Sequence, residues 1–144
     1  MTRQTVFNVI TWFFIFLFTY AALAKLTDYS LFRAQISFYP ALKYGRDWVP
    51  WLLPTVELAT AALLVFRCTQ AVGIFLSFCL MLVFTIYIAV AMVSGLRLPC
   101  SCGGLIQKMS WGQHLVFNFV CLAMASWALF SYPSLPDRPR KHAT

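Results

Sequence analysis

Reactive side chains gather at one place in this chain, Leu98-Pro99-Cys100-Ser101-Cys102-Gly103-Gly104. Two thiols separated by one residue can close a small strained ring, hold a soft metal, or exchange disulfides with a partner. Gly103 and Gly104 let the backbone bend into whichever geometry is used. A structural bridge, or idle thiols in a chain that holds 5 cysteines, fits the same spacing. Arg97 and Lys108 flank the pair, and nearby positive charge favours the thiolate, the form that attacks disulfides and binds metals.

The elements that must position this loop are long apolar runs. The chain is 61% hydrophobic, 17% aromatic and only 10% charged, a composition far from that of a soluble domain of 144 residues. An all-α integral membrane protein is expected. Residues 6–26 carry no charge until Lys25 and would span about 31 Å as helix, enough to cross a bilayer. Arg3 and Ala22-Leu23-Ala24 imitate a signal peptide and its cleavage site, but the apolar stretch is longer than such a core, so a retained span is expected.

A second run, residues 48–66, opens with Trp48, Pro50 and Trp51, which suits a helix start with tryptophans at headgroup level. Arg67, Thr69 and Gln70 then make a tight turn, so the third run, residues 71–94 before Gly95, must lie antiparallel to the second. Ser110 and Gln113 form a capping-box pattern that starts a fourth helix over residues 111–131, which Pro133, Pro136 and Pro139 keep from continuing. The expected fold is a four-helix membrane bundle with spans at about 6–26, 48–66, 71–94 and 111–131.

Residues 27–48 mix Asp28, Arg33, Lys43, Arg46 and Asp47 with Leu31, Phe32, Ile36, Phe38 and Tyr39. A short interfacial helix between the first two spans fits this mixture, capped by Thr27 or Asp28, with its apolar residues dipping toward lipid. A polar loop with scattered aromatics is the alternative. Residues 1–132 then form the membrane domain, and residues 133–144, with Arg138, Arg140 and Lys141, a basic, proline-rich cytoplasmic tail.

Some polar residues lie inside these spans. Glu57 stands well inside the second, where a carboxylate must be neutral, paired, or turned to a polar interior. Lys25, at the adjoining end of the first span, is the first candidate partner and Asn118 the second. His114, Asn118 and Cys121 share one face of the fourth helix, which should point inward. His114 is a candidate proton donor or ligand near the loop, or an interfacial packing residue. Cys79, among Phe, Leu and Met, reads as a small apolar group.

The 11 Lys and Arg against 4 Asp and Glu fall mostly between the apolar runs, where basic residues anchor helix ends and meet anionic lipid. Aromatic and basic residues do not interleave on any polar stretch, which argues against a nucleic-acid partner. The sequence holds no phosphate-binding glycine loop, catalytic triad or metalloprotease motif. Both termini are expected in the cytoplasm. That orientation puts Cys100 and Cys102 at the outer face, where disulfides persist, and Cys68 in the reducing compartment.

In several of these residues the chain resembles the DoxX-like membrane proteins, and among them the branch of the methylamine utilisation protein MauE. The likeness runs from Phe14 to Phe130. It is carried by Ala24-Lys25-Leu26, by Pro54-Thr55-Val56-Glu57-Leu58, by the loop Cys100-Ser101-Cys102-Gly103-Gly104, and by Asn118. The chain departs in having Gly103 where an aromatic often follows the second cysteine. The resemblance implies a protein of the bacterial inner membrane that takes part in disulfide formation or in maturation of redox proteins outside the cytoplasm. It implies a thiol-disulfide role for Cys100 and Cys102, with Glu57, Lys25, His114, Asn118, Gly103 and Gly104 in support.

Two other classes compete with that role. Cys100 and Cys102, joined by Met109 or His114, could hold Cu(I) for delivery to a copper protein. Alternatively the protein is a non-catalytic subunit of a larger membrane complex. A redox role would need an extracytoplasmic thiol protein as partner, and a lipid quinone is a further cofactor candidate beside membrane lipid itself.

Overall fold

A computed structural model describes residues 2–37, 44–95 and 109–132 of the chain. Among the described residues there are five α-helices: α1 (Arg3–Thr27), α2 (Tyr29–Ser37), α3 (Val49–Val65), α4 (Gln70–Val93) and α5 (Trp111–Ser131). Of these, α1, α4 and α5 are long and apolar enough to cross a membrane, and α3 is a shorter apolar helix of 17 residues. The described residues include no β-strand.

Local sequence explains where the helices begin and end. Thr2 caps α1 by accepting a hydrogen bond from the Thr5 amide. Pro50 sits in the first turn of α3, where its missing N–H would be unpaired in any residue. Its N-cap, Trp48, makes no side-chain capping bond, and Trp48 and Trp51 are exposed at that end. Gly95, at φ 66°, takes the left-handed conformation that closes α4. Ser110 and Gln113 form the reciprocal capping box at the start of α5, the serine hydroxyl accepting from the Gln113 amide and the Gln113 side chain from the Ser110 amide.

α2 departs from expectation in two ways. Thr27 belongs to α1, donating its hydroxyl proton to the Ala24 carbonyl, and Asp28 closes α1 rather than capping α2 with its side chain. The apolar face of α2 turns into the protein: Phe32 and Ile36 are buried, and Leu31 is the one large apolar residue of the helix left exposed. The physical reason is a better partner than lipid, since the ends of α1 and α3 offer an apolar wall. Tyr29 packs its ring 4.9 Å from that of Trp51, and Arg33 donates to Asp47 at 2.9 Å to tie α2 to the start of α3. That exposed ion pair contributes little energy. Phe38, Tyr39 and Lys43 lie outside the described residues.

The helices pack in a cycle in which α1 lies on α3, α3 on α4, α4 on α5, and α5 back on α1. Phe7 near the start of α1 meets Tyr132 just past the end of α5, with ring centroids 5.8 Å apart. At the α3–α4 turn, Gly73 lies so close to α3 that an added Cβ would stand 3.0 Å from the Leu64 backbone nitrogen. The core at this end is Phe7, Ile10, Phe14, Leu64, Ile74, Cys121, Ala125 and Ala128. Buried hydroxyls need no neighbour: Thr11, Thr60, Ser77 and Thr85 each donate to the carbonyl four residues earlier in the same helix.

Candidate functional site

The other end of the molecule is built differently. From their middles outward, the C-terminal parts of α1 and α4 and the N-terminal parts of α3 and α5 meet one face of α2 there, around a buried ion pair and a cavity of about 230 Å³.

Lys25 and Glu57 form the pair. Both are buried, at 4% and 0% exposure. The Lys25 ammonium donates to Glu57 Oε1 at 2.9 Å, to Oε2 at 3.2 Å and to the Ala21 carbonyl at 3.3 Å, which uses all three of its N–H groups. The rings of Phe32 and Phe84 stand 5.9 and 5.7 Å from the same nitrogen, so aromatic faces cover what the carboxylate leaves open. A charge buried in apolar surroundings is tolerable only when paired and hydrogen-bonded, and here both conditions hold. Lys25 is thus the partner of Glu57 and Asn118 is not.

His114 and Asn118 stand one helical turn apart on α5, both 4% exposed, and both line the cavity together with Lys25. Cys121, one turn further, falls outside it and is fully buried in the apolar core. The inward face expected of α5 is therefore real, but it divides into a polar part on the cavity and a thiol that packs as an apolar group. Cys79 is half-buried and Cys68 exposed at the α3–α4 turn.

Gln35 belongs to the same site, although the sequence alone drew no attention to it. It is 6% exposed, lines the cavity from α2, and its amide nitrogen has no hydrogen-bond partner. Asn118 Nδ2 is the second such atom among the described residues. Phe32, Gln35 and Ile36, at i, i+3 and i+4, share one face of α2. That spacing marks an inward face once the apolar side of α2 is seen to face protein rather than lipid.

Cys100, Cys102, Gly103 and Gly104 lie outside the described residues, as do the flanking Arg97 and Lys108. The segment holding them, residues 96–108, joins the end of α4 to the approach to α5. Met109 is half-buried and is not on the cavity wall. Among the described residues no cluster of three or more His, Cys, Asp or Glu could hold a metal ion.

Comparison with known proteins gives one finding. No curated protein and no solved structure matches the chain significantly. Residues 3–131 match the family model described as methylamine utilisation protein MauE. The match runs from the first residue of α1 to the last of α5 and so takes in both the ion pair and the cavity. This membrane protein belongs to the MauE family.

Proposed function

We propose that the protein exchanges disulfides through Cys100 and Cys102 at the outer face of the bacterial inner membrane, and so serves maturation of an extracytoplasmic protein in methylamine utilisation. Four spans, with α3 as the shortest and both termini in the cytoplasm, form the domain of residues 1–132 that carries the loop. A helix of 17 residues is about 25 Å long, at the short end of what crosses a bilayer, and exposed Trp48 and Trp51 suit its interfacial end. The basic tail of residues 133–144 stays inside.

What supports this reading is position. The two helix ends that residues 96–108 connect belong to the half of the molecule where Lys25, Glu57, His114 and Asn118 gather. The capping box fixes the start of α5 eight residues beyond Cys102, and the positive charges of Arg97 and Lys108 on either side of the pair favour a thiolate.

In the exchange, a client thiolate attacks one sulfur of the Cys100–Cys102 disulfide, breaking the S–S bond and releasing the other cysteine as thiolate. The second client thiolate then attacks the mixed disulfide. The client loses two electrons and gains a disulfide, and the Cys100–Cys102 pair gains those electrons and becomes a dithiol.

The test is to prepare Cys100→Ser and Cys102→Ser separately, quench cells with acid and an alkylating agent, and examine non-reducing gels. A reducible adduct with one protein from either variant is the expected result. No adduct from either, with client maturation intact in the double variant, would overturn the reading and leave a subunit of a larger complex.

A further inference from the structure

We propose that the cavity enclosed by α1, α2, α3, α4 and α5 binds a neutral, lipid-soluble molecule bearing carbonyl acceptors on a flat ring, the chemistry of a quinone headgroup. The proposal concerns binding alone and stands apart from the disulfide reading.

Three observations lead to this class of ligand. The first is the pair of unsatisfied donors. Gln35 Nε2 and Asn118 Nδ2 are buried without partners, and both residues line the same cavity from different helices. A buried amide N–H left unpaired is costly, so two on one cavity call for acceptor atoms that the protein does not supply.

The second is what the charges do. The three N–H groups of Lys25 are already given to Glu57 and to the Ala21 carbonyl, and both Glu57 oxygens accept from Lys25. The pair closes on itself, so neither Lys25 nor Glu57 offers the cavity a free charge with which to hold an anion or a cation. The complement of the remaining donors is a neutral acceptor.

The third is the wall. Phe18, Phe32, Phe84, Tyr87 and Phe117 line the cavity, and aromatic rings take up a flat ring by offset stacking or edge contact. A cavity of about 230 Å³ also has the room, because dry engineered cavities of about 150 Å³ already admit benzene. An ester carbonyl of a phospholipid offers the same acceptor without the ring. The aromatic wall favours the ring.

The experiment uses the full chain purified in mild detergent. A short-tailed benzoquinone and a short-tailed naphthoquinone are titrated in one arm and a short-chain phosphatidylglycerol in the other. Binding is read by quenching of tryptophan fluorescence and by thermal stabilisation. Saturable, one-site stabilisation by a quinone is expected. Asn118→Leu and Gln35→Leu should each weaken it about tenfold, the scale of one hydrogen bond to a carbonyl.

Without ligand, each variant should melt no lower than the parent, because it removes an unsatisfied buried amide. If one variant fails to fold, the other carries the comparison. Quinone binding that neither substitution weakens would overturn the site, and stabilisation by phosphatidylglycerol alone, or by neither probe, would overturn the ligand. Cys100→Ser/Cys102→Ser should bind quinone as the parent does, so client maturation intact in that double variant, with quinone binding retained, would count against the disulfide reading only.

Discussion

Replacing Glu57 by leucine tests whether the buried pair organises this end of the protein. At 2.9 Å and an effective dielectric constant of about 20, the attraction between Lys25 and Glu57 is about 6 kcal/mol. Desolvation of two ions exposed by only 4% and 0% costs several kcal/mol each, so the intact pair contributes little net stability. Removing one partner is another matter. In Glu57→Leu the Lys25 ammonium stays among Phe32 and Phe84 with only the Ala21 carbonyl to accept from it, and the expected loss is about 3–5 kcal/mol.

In thermal unfolding in detergent that loss should lower the midpoint by about 10 °C or more. Glu57→Gln retains an acceptor for Lys25 and should cost less. The double variant Lys25→Met/Glu57→Leu, which leaves no orphaned charge, should recover most of the stability lost in Glu57→Leu. A midpoint for Glu57→Leu within error of the parent, or a double variant whose loss equals the sum of the single losses, would show that the two residues are not coupled and refute the reasoning.

Three further outcomes are expected. A membrane-impermeant thiol reagent should label exposed Cys68 only from the cytoplasmic side, whereas Cys121 should stay unlabelled until the protein is denatured, and labelling of Cys68 in intact cells would reverse the orientation. Gly73→Ala should destabilise by about 1–3 kcal/mol in chemical denaturation, because the new methyl would meet the Leu64 backbone nitrogen at 3.0 Å where neither helix can yield freely. Ser110→Ala removes the hydroxyl that accepts from the Gln113 amide and should cost about 1 kcal/mol in the same assay, and an unchanged midpoint would mean that the α5 cap does not contribute.

The sequence was most legible where a local rule acts alone. The Ser110–Gln113 cap, the stop at Gly95 and the bounds of α5 follow from short-range chemistry that neighbouring helices do not alter. The Lys25–Glu57 pair was legible for a different reason: a carboxylate in an apolar run demands a partner, and few cations were within reach.

What stayed hidden depends on which surface an element faces. Phe32, Gln35 and Ile36 look the same in sequence whether α2 lies against lipid or protein, and the answer comes from the packing of α1 and α3, not from α2 itself. Asn118 lies on the inward face that the periodicity predicts but, as the second candidate after Lys25, makes no bond to Glu57, because helix periodicity gives direction and says nothing of which side chain across the gap arrives first.

The contrast between the two ends of the molecule bears on how it yields to stress. At one end small residues, Gly73, Ala61, Ala125 and Ala128, let the helices close tightly around phenylalanines, while the other end keeps a void. Voids are what hydrostatic pressure removes, so compression should act first on the half built around Lys25 and Glu57. Amide hydrogen exchange should follow the same division, fastest around α2 and slowest in the mutually buried turns of α1 and α5. On this reasoning the protein should respond mechanically as a firm base carrying a compliant head, and residues 96–108, which hold the cysteines, are attached to that head.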